Sequence, residues 1–175
     1  MKGRSPRILL IGMMGSGKTT IGRELGRRTG WPFLDNDALV RELTGREPAA
    51  IDADDGEDAL HAAEARAFQM ATDRSGPAIV AVAGWIVDDD AARARLAAAG
   101  HVVWLRARPD SLRTRIGSGA GRRADAQDVG WIEARATERE PRYRETADQV
   151  VDVDDLDPAA IAAAILDAIG LPSAG

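Results

Sequence analysis

The chain has 175 residues, 45% of them hydrophobic, enough to bury one substantial core, and a single domain with its core over about residues 7–169 is expected. Its 28 acidic residues outnumber 23 basic ones, for a formal charge of -5; this argues against nucleic-acid binding by phosphate neutralisation but leaves a small anionic ligand open. The absence of cysteine excludes a disulfide framework, a thiolate metal site and a thiol nucleophile, and His61 and His101 are too few for a histidine-rich metal centre.

In chain order, short runs rich in Val, Ile and Leu alternate with longer stretches of helical spacing. Strands are predicted in "RILLIG", "WPFLD", "PAIVAVAG", "HVVWLRA" and "DQVVDVD". Helices are predicted over about 17–29, 36–44, 56–73, 89–98, 109–116, 126–146 and 158–169. This alternation is that of an α/β fold: a parallel sheet with helices on both faces, a three-layer sandwich. Pro109 and Pro158 mark helix starts. The stretch "GSGAGRRADAQD", with three glycines, adjacent arginines and no apolar anchor, is the candidate lid, over about 117–126; "LPSAG" is expected to fray, over 171–175. No run approaches the ~20 apolar residues that span a bilayer, so a soluble, cytoplasmic chain with no membrane partner is expected.

Gly12-Met-Met-Gly15-Ser16-Gly17-Lys18-Thr19 fits the G-x-x-x-x-G-K-[ST] pattern and lies between a predicted strand and a predicted helix, as that motif requires. Glycines let successive backbone N–H groups point inward, and the positive end of the following helix completes an anion nest. Lys18 is then expected to reach the β and γ phosphates of a nucleoside triphosphate, with the Thr19 hydroxyl in the shell of Mg2+; Thr20 continues the phosphate-binding segment. A phosphate loop does not identify the group that receives the phosphate. No N/T-K-x-D signature of a guanine-specific switch is visible. The second strand instead ends in "FLDND", which puts Asp35 and Asp37 at its carboxyl end, where an open parallel sheet presents its ligand crevice. One carboxylate suits magnesium and the other an acceptor hydroxyl, while a simple helix cap is the competing reading, above all for Asp35.

The phosphate loop, "FLDND", "TGREPAAI", "DDGEDALHAAEARA", "GHVVWLRARPDSLRTRI", the arginine-bearing lid and "REPRYRETADQVVDV" together resemble shikimate kinases, over about residues 7–169. The resemblance implies a P-loop NTPase fold similar to nucleoside monophosphate kinases, with a five-stranded parallel sheet of order 2-3-1-4-5 and a closing lid. It also implies a monomer that moves the γ-phosphate of ATP to the 3-hydroxyl of shikimate with magnesium. By position, it assigns Lys18 and Thr19 to the phosphates and metal, Asp35 to the metal, and Asp37 to the acceptor hydroxyl as its base. It assigns Arg122 to the transferred phosphate, Arg115 to adenine and Arg139 to the substrate carboxylate. A solvated helix face is the other reading of Arg139.

Two departures fall on the acceptor side. His61 in "GEDALHAAE" stands where the family pattern "GEAAFRxxE" has a second substrate arginine, and a neutral imidazole lacks the two-pronged charge of a guanidinium. Ala83-Gly84-Trp85 replaces a Gly-Gly-Gly turn close to the substrate; Trp85 either lines a reshaped pocket or packs beneath the next helix. These departures open alternatives: a different hydroxylated acceptor, such as a gluconate-like sugar acid, a cyclitol or a nucleoside, or a non-catalytic ATP-binding paralogue.

Overall fold

The structure is a computed structural model that describes residues 6–117 and 129–171. Residues 118–126 of the predicted lid, Arg122 among them, and residues 126–128 at the start of the sixth predicted helix lie outside the described residues, as do residues 172–175 of the tail.

Five strands, β1 (Arg7–Ile11), β2 (Phe33–Asp35), β3 (Ala78–Ala81), β4 (His101–Arg106) and β5 (Gln149–Asp152), form one sheet in the order β2-β3-β1-β4-β5. Every pairing is parallel, with Leu10 opposite Ala81 on one side and Val103 on the other. β1 is buried along its whole length, which explains its unbroken apolar run. Successive side chains nonetheless face opposite layers. Leu9, Ile11, Val102 and Trp104 enter one core, whereas Ile8, Leu10, Val103 and Leu105 enter the other. The second core is covered by α1 (Lys18–Thr29) and α8 (Pro158–Ala168), through Ile21, Leu25, Ile161 and Ile165. The first receives α2 (Asn36–Thr44), α3 (Pro48–Asp55), α4 (Glu57–Asp73), α5 (Asp90–Ala99), α6 (Pro109–Gly117) and α7 (Val129–Thr146).

Two elements were not anticipated. α3 precedes the predicted 56–73 helix and is separated from α4 by Gly56, whose φ of 90° ends it. Only Ile51 of α3 is buried, so "PAAIDADD" carries no apolar stripe from which a helix could be read. A short 3-10 helix over Gly84–Asp88 follows β3 and swings Trp85 toward the carboxyl ends of the strands. Among the described residues, no helix is long and apolar enough to cross a membrane.

Gly100 makes the tight connection from α5 to β4. Its φ of 171° is ordinary extended backbone, but a Cβ there would lie 2.5 Å from the Arg7 carbonyl oxygen. Gly100→Ala is therefore expected to destabilise the chain by about 1–3 kcal/mol, because β1 cannot retreat from the centre of the sheet. A urea midpoint equal to that of the parent would contradict this.

Candidate active site

The phosphate loop begins where β1 ends. Gly12 has φ 144°, and a Cβ on it would sit 2.7 Å from the Leu105 carbonyl oxygen and 2.9 Å from Ser16 Oγ, so only glycine fits beneath the loop. The Ser16 amide donates to the Met13 carbonyl at 3.1 Å, closing the curl, and Gly17 caps α1 in the left-handed region with φ 94°. Ser16 Oγ is buried in the loop with no hydrogen-bond partner among the described residues. Lys18 Nζ donates to the carbonyls of Gly12 at 2.7 Å and Met13 at 3.0 Å, so its ammonium arches over the loop that it is expected to serve.

β2 brings in the two carboxylates. Thr19 Oγ1 donates to Asp35 Oδ2 at 2.7 Å, and Asp35 Oδ1 accepts the Asp37 amide at 3.0 Å as the cap of α2. The cap reading and the juxtaposition with Thr19 thus both hold for Asp35, one on each oxygen. The Asp37 carboxyl is reachable by solvent but crowded by protein on the cleft floor. This desolvation, and then the neighbouring Asp35 charge, push its pKa above the usual carboxylate value, with Lys18 pulling the other way. A carboxylate so raised holds a proton more readily than an ordinary aspartate, which suits a general base.

These groups line a cleft of about 590 Å³ at the carboxyl ends of the strands, together with Gly15, Gly17, Thr20 and Arg115. Gly12 and Ser16 lie buried under the loop. Arg115, on α6, donates to the Val153 carbonyl at 3.4 Å, which ties α6 to the segment following β5.

In the same cleft, α7 presents Arg139 and Tyr143 one turn apart on one face, and Arg139 Nη1 lies 3.9 Å from Met13 Sδ of the phosphate loop. Arg139 is only 7% exposed and lines the cleft, so it does not lie on a solvated helix face. Its Nε donates to Asp88 Oδ2 at 2.8 Å, while Arg142 Nη1 takes Asp88 Oδ1 at 2.8 Å, and the two arginines share one carboxylate. Tyr143 donates to the Gly84 carbonyl at 2.8 Å; burial, first of all, pushes its phenol well above the ordinary range, so it remains a donor. Gly84 is thereby clamped to α7, and a Cβ on it would stand 3.6 Å from Arg139 Nη1.

Trp85 lines the cleft and does not pack away beneath α5. Its ring stacks on His61 with centroids 4.2 Å apart and planes 20° apart, and its Nε1 donates to Glu64 Oε2. His61 Nε2 lies 3.4 Å from Glu57 Oε1, one turn back on α4. Glu64, Asp88 and Tyr143 were not singled out from the sequence. Glu64 follows His61 by three residues and shares its helix face, a spacing that could have marked it; Asp88 sits in "VDDD" with nothing local to distinguish it.

The comparisons with known proteins agree with this geometry. The family model described as "Shikimate kinase" matches residues 14–170. The shikimate kinase of Moorella thermoacetica is 38% identical over 164 residues, covering 93% of each chain. That of Halorhodospira halophila is 37% identical over 175 residues, covering 97% of this chain and 98% of that protein. The solved shikimate kinase from Acinetobacter baumannii in complex with shikimate superposes with a TM-score of 0.85 at 26% identity, over 95% of this chain and 94% of the other. With its sheet order, phosphate loop and cleft, the chain belongs to the shikimate kinase family, as a phosphotransferase with an alcohol group as acceptor.

Proposed function

We propose that this chain transfers the γ-phosphate of ATP to the 3-hydroxyl of shikimate. The observation that carries the reading is the placing of Asp37, its carboxyl crowded between Lys18 and Asp35, in the same cleft as buried Arg139. The curled loop and the buried, unpartnered Ser16 Oγ fit a nest for triphosphate oxygens. The Thr19 hydroxyl and the Asp35 carboxylate, 2.7 Å apart, are hard oxygen donors of the kind that hold Mg2+ beside phosphate, and the ion would supply charge neutralisation there. Arg139, steadied by Asp88, anchors the acceptor carboxylate and so sets one acceptor hydroxyl toward Asp37. Asp37 takes that hydroxyl's proton as the acceptor oxygen bonds to the γ-phosphorus and the bond to the ADP oxygen breaks. Lys18 meets the negative charge on the phosphate oxygens, and Arg115 borders the nucleotide end. The reading calls only on residues of one chain, so a monomer suffices for it, and the cysteine-free composition suits the cytoplasm.

The test is magnesium-dependent ADP release with ATP and shikimate, run beside a sugar acid, a cyclitol and a nucleoside. Turnover on shikimate supports the reading. Turnover only on another compound moves the acceptor. ATP binding with no ADP release on any acceptor would leave the non-catalytic binder. Arg139→Lys is expected to raise the acceptor KM by about 10- to 100-fold with the ATP KM unchanged, because an ammonium cannot both hold Asp88 and grip a carboxylate with two parallel bonds. An unchanged acceptor KM would remove Arg139 from the acceptor site.

A further inference from the structure

The two departures from the family pattern, His61 and Trp85, are 24 positions apart in sequence yet form one stacked pair, and the carboxylate that fixes the pair is Glu64. Glu64 is 8% exposed and borders the cleft. In the family pattern an arginine stands at position 61, three residues before that glutamate on the same helix face. Here the indole N–H of Trp85 makes the charge-assisted bond to the carboxylate, and an imidazole lies flat on the indole. Where the family pattern has a second guanidinium, this cleft thus presents an aromatic surface. Arg41, which also borders the cleft, is engaged with Glu47 at 3.0 Å.

Such a wall has its own binding chemistry. Aromatic faces carry negative π density and accept the C–H face of a saturated ring. Arg139, 7% exposed and held by Asp88, borders the same cleft as the anion anchor.

Building on the phosphotransfer reading above, we propose that Trp85 is the specificity-determining residue of the acceptor site. Glu64 and His61 act as positioning residues that hold its indole as a platform, and the site takes a polyhydroxylated ring that lies on this platform with a single anionic group at Arg139. His61 and Trp85 are therefore one coupled substitution pivoting on Glu64. An arginine introduced at position 61 alone would meet a carboxylate already bonded to Trp85.

The test combines kinetics and binding on the full chain, with shikimate, gluconate, myo-inositol and adenosine as acceptors. Trp85→Gly is expected to raise the KM of the best acceptor about tenfold and to reorder the panel, with the ATP KM within about twofold. Glu64→Ala should match it, whereas Glu64→Gln, which keeps an oxygen for the indole N–H, should stay within about threefold of the parent. His61→Arg alone should not improve shikimate use. His61→Arg with Trp85→Gly should improve it by more than the product of the two single effects. The binding arm reads the Trp85 emission, as the parent spectrum minus that of Trp85→Phe, while each acceptor is added with ADP. Quenching by a ring polyol supports the platform even if nothing turns over, in which case the phosphotransfer reading falls and this inference stands. Unchanged acceptor ranking in Trp85→Gly, a normal acceptor KM in Glu64→Ala, or no quenching by any ring compound would overturn it. Circular dichroism and the ATP KM separate these results from misfolding.

Discussion

Lys18→Ala is expected to lower kcat by about 10³ and kcat/KM for ATP at least as far, with the fold retained. In the structure the Lys18 ammonium is held by the carbonyls of Gly12 and Met13, so its position over the loop is set before any phosphate arrives. A preset charge costs little reorganisation when negative charge builds on the phosphate oxygens, which is why its loss falls on the transition state. Loss of the bonds to these loop carbonyls is worth far less to stability, about 1 kcal/mol each, because water entering the open cleft replaces the ammonium. Lys18→Arg is not expected to rescue, since a planar fork does not fit where a compact ammonium sits over two carbonyls. Activity within tenfold of the parent, with Tm unchanged, would remove Lys18 from the chemistry.

Asp37→Asn should depress kcat by about 10²–10⁴ while leaving ATP binding near the parent value. Its pH behaviour adds a second check. Desolvation and Asp35 raise the pKa of Asp37, and a base must be deprotonated to work. The acid limb of the parent pH–rate profile should therefore lie above the ordinary carboxylate range, with activity lost as pH falls through the raised pKa, and Asp37→Asn should abolish that limb. The two variants are linked, because Lys18 lowers the Asp37 pKa by its charge; the residual activity of Lys18→Ala should show its acid limb at higher pH still. The same shift has a stability consequence. A carboxylate raised in the folded state is held there at a cost whenever it is ionised, a cost present above the folded pKa and relieved as pH falls through it. Asp37→Asn is therefore expected to leave Tm at neutral pH equal to or above that of the parent, the trade of stability for function common at a charged site. A fall in Tm together with loss of ATP binding would show a structural role instead.

The parts that sequence reading reached share a physical property: their signals are local. The P-loop is one strand end, one turn and one helix start, and its glycines mark positive backbone angles whatever surrounds them. Asp35 and Asp37 were legible because strand termini in a parallel sheet face the crevice. The helix over 109–116 was bounded at its start by Pro109, and that over 158–169 by Asp157 and Pro158, with Asp157 accepting the Ala160 amide as the cap. α3 escaped because one buried isoleucine makes no period, and the 3-10 turn of "GWIVD" because three-residue spacing over five residues has no stripe to detect. In α7, Pro141 lies inside the helix, yet the element continues to Thr146, packed through Tyr143 against Trp104 with ring centroids 5.6 Å apart. Tertiary burial there outweighs a local helix breaker.

By itself, the sequence determined the alternation of strands and helices, the glycine loop after β1 and its lysine, the pair of carboxylates beside it, and the positions that depart from the family pattern. These are properties of short segments, governed by backbone geometry and apolar period. Only the tertiary structure decided what the departures mean. Arg139 meets Asp88 across 51 residues, Tyr143 meets Gly84 across 59, and Trp85 meets Glu64 across 21. Which side chains meet over such separations depends on the close packing of α4, α7 and the turn after β3 around one core, where shape and hydrogen-bond satisfaction select the partners. No period or cap in the chain encodes that choice, which is why Trp85 read equally well as pocket wall or buried filler until its indole was seen on His61 and Glu64.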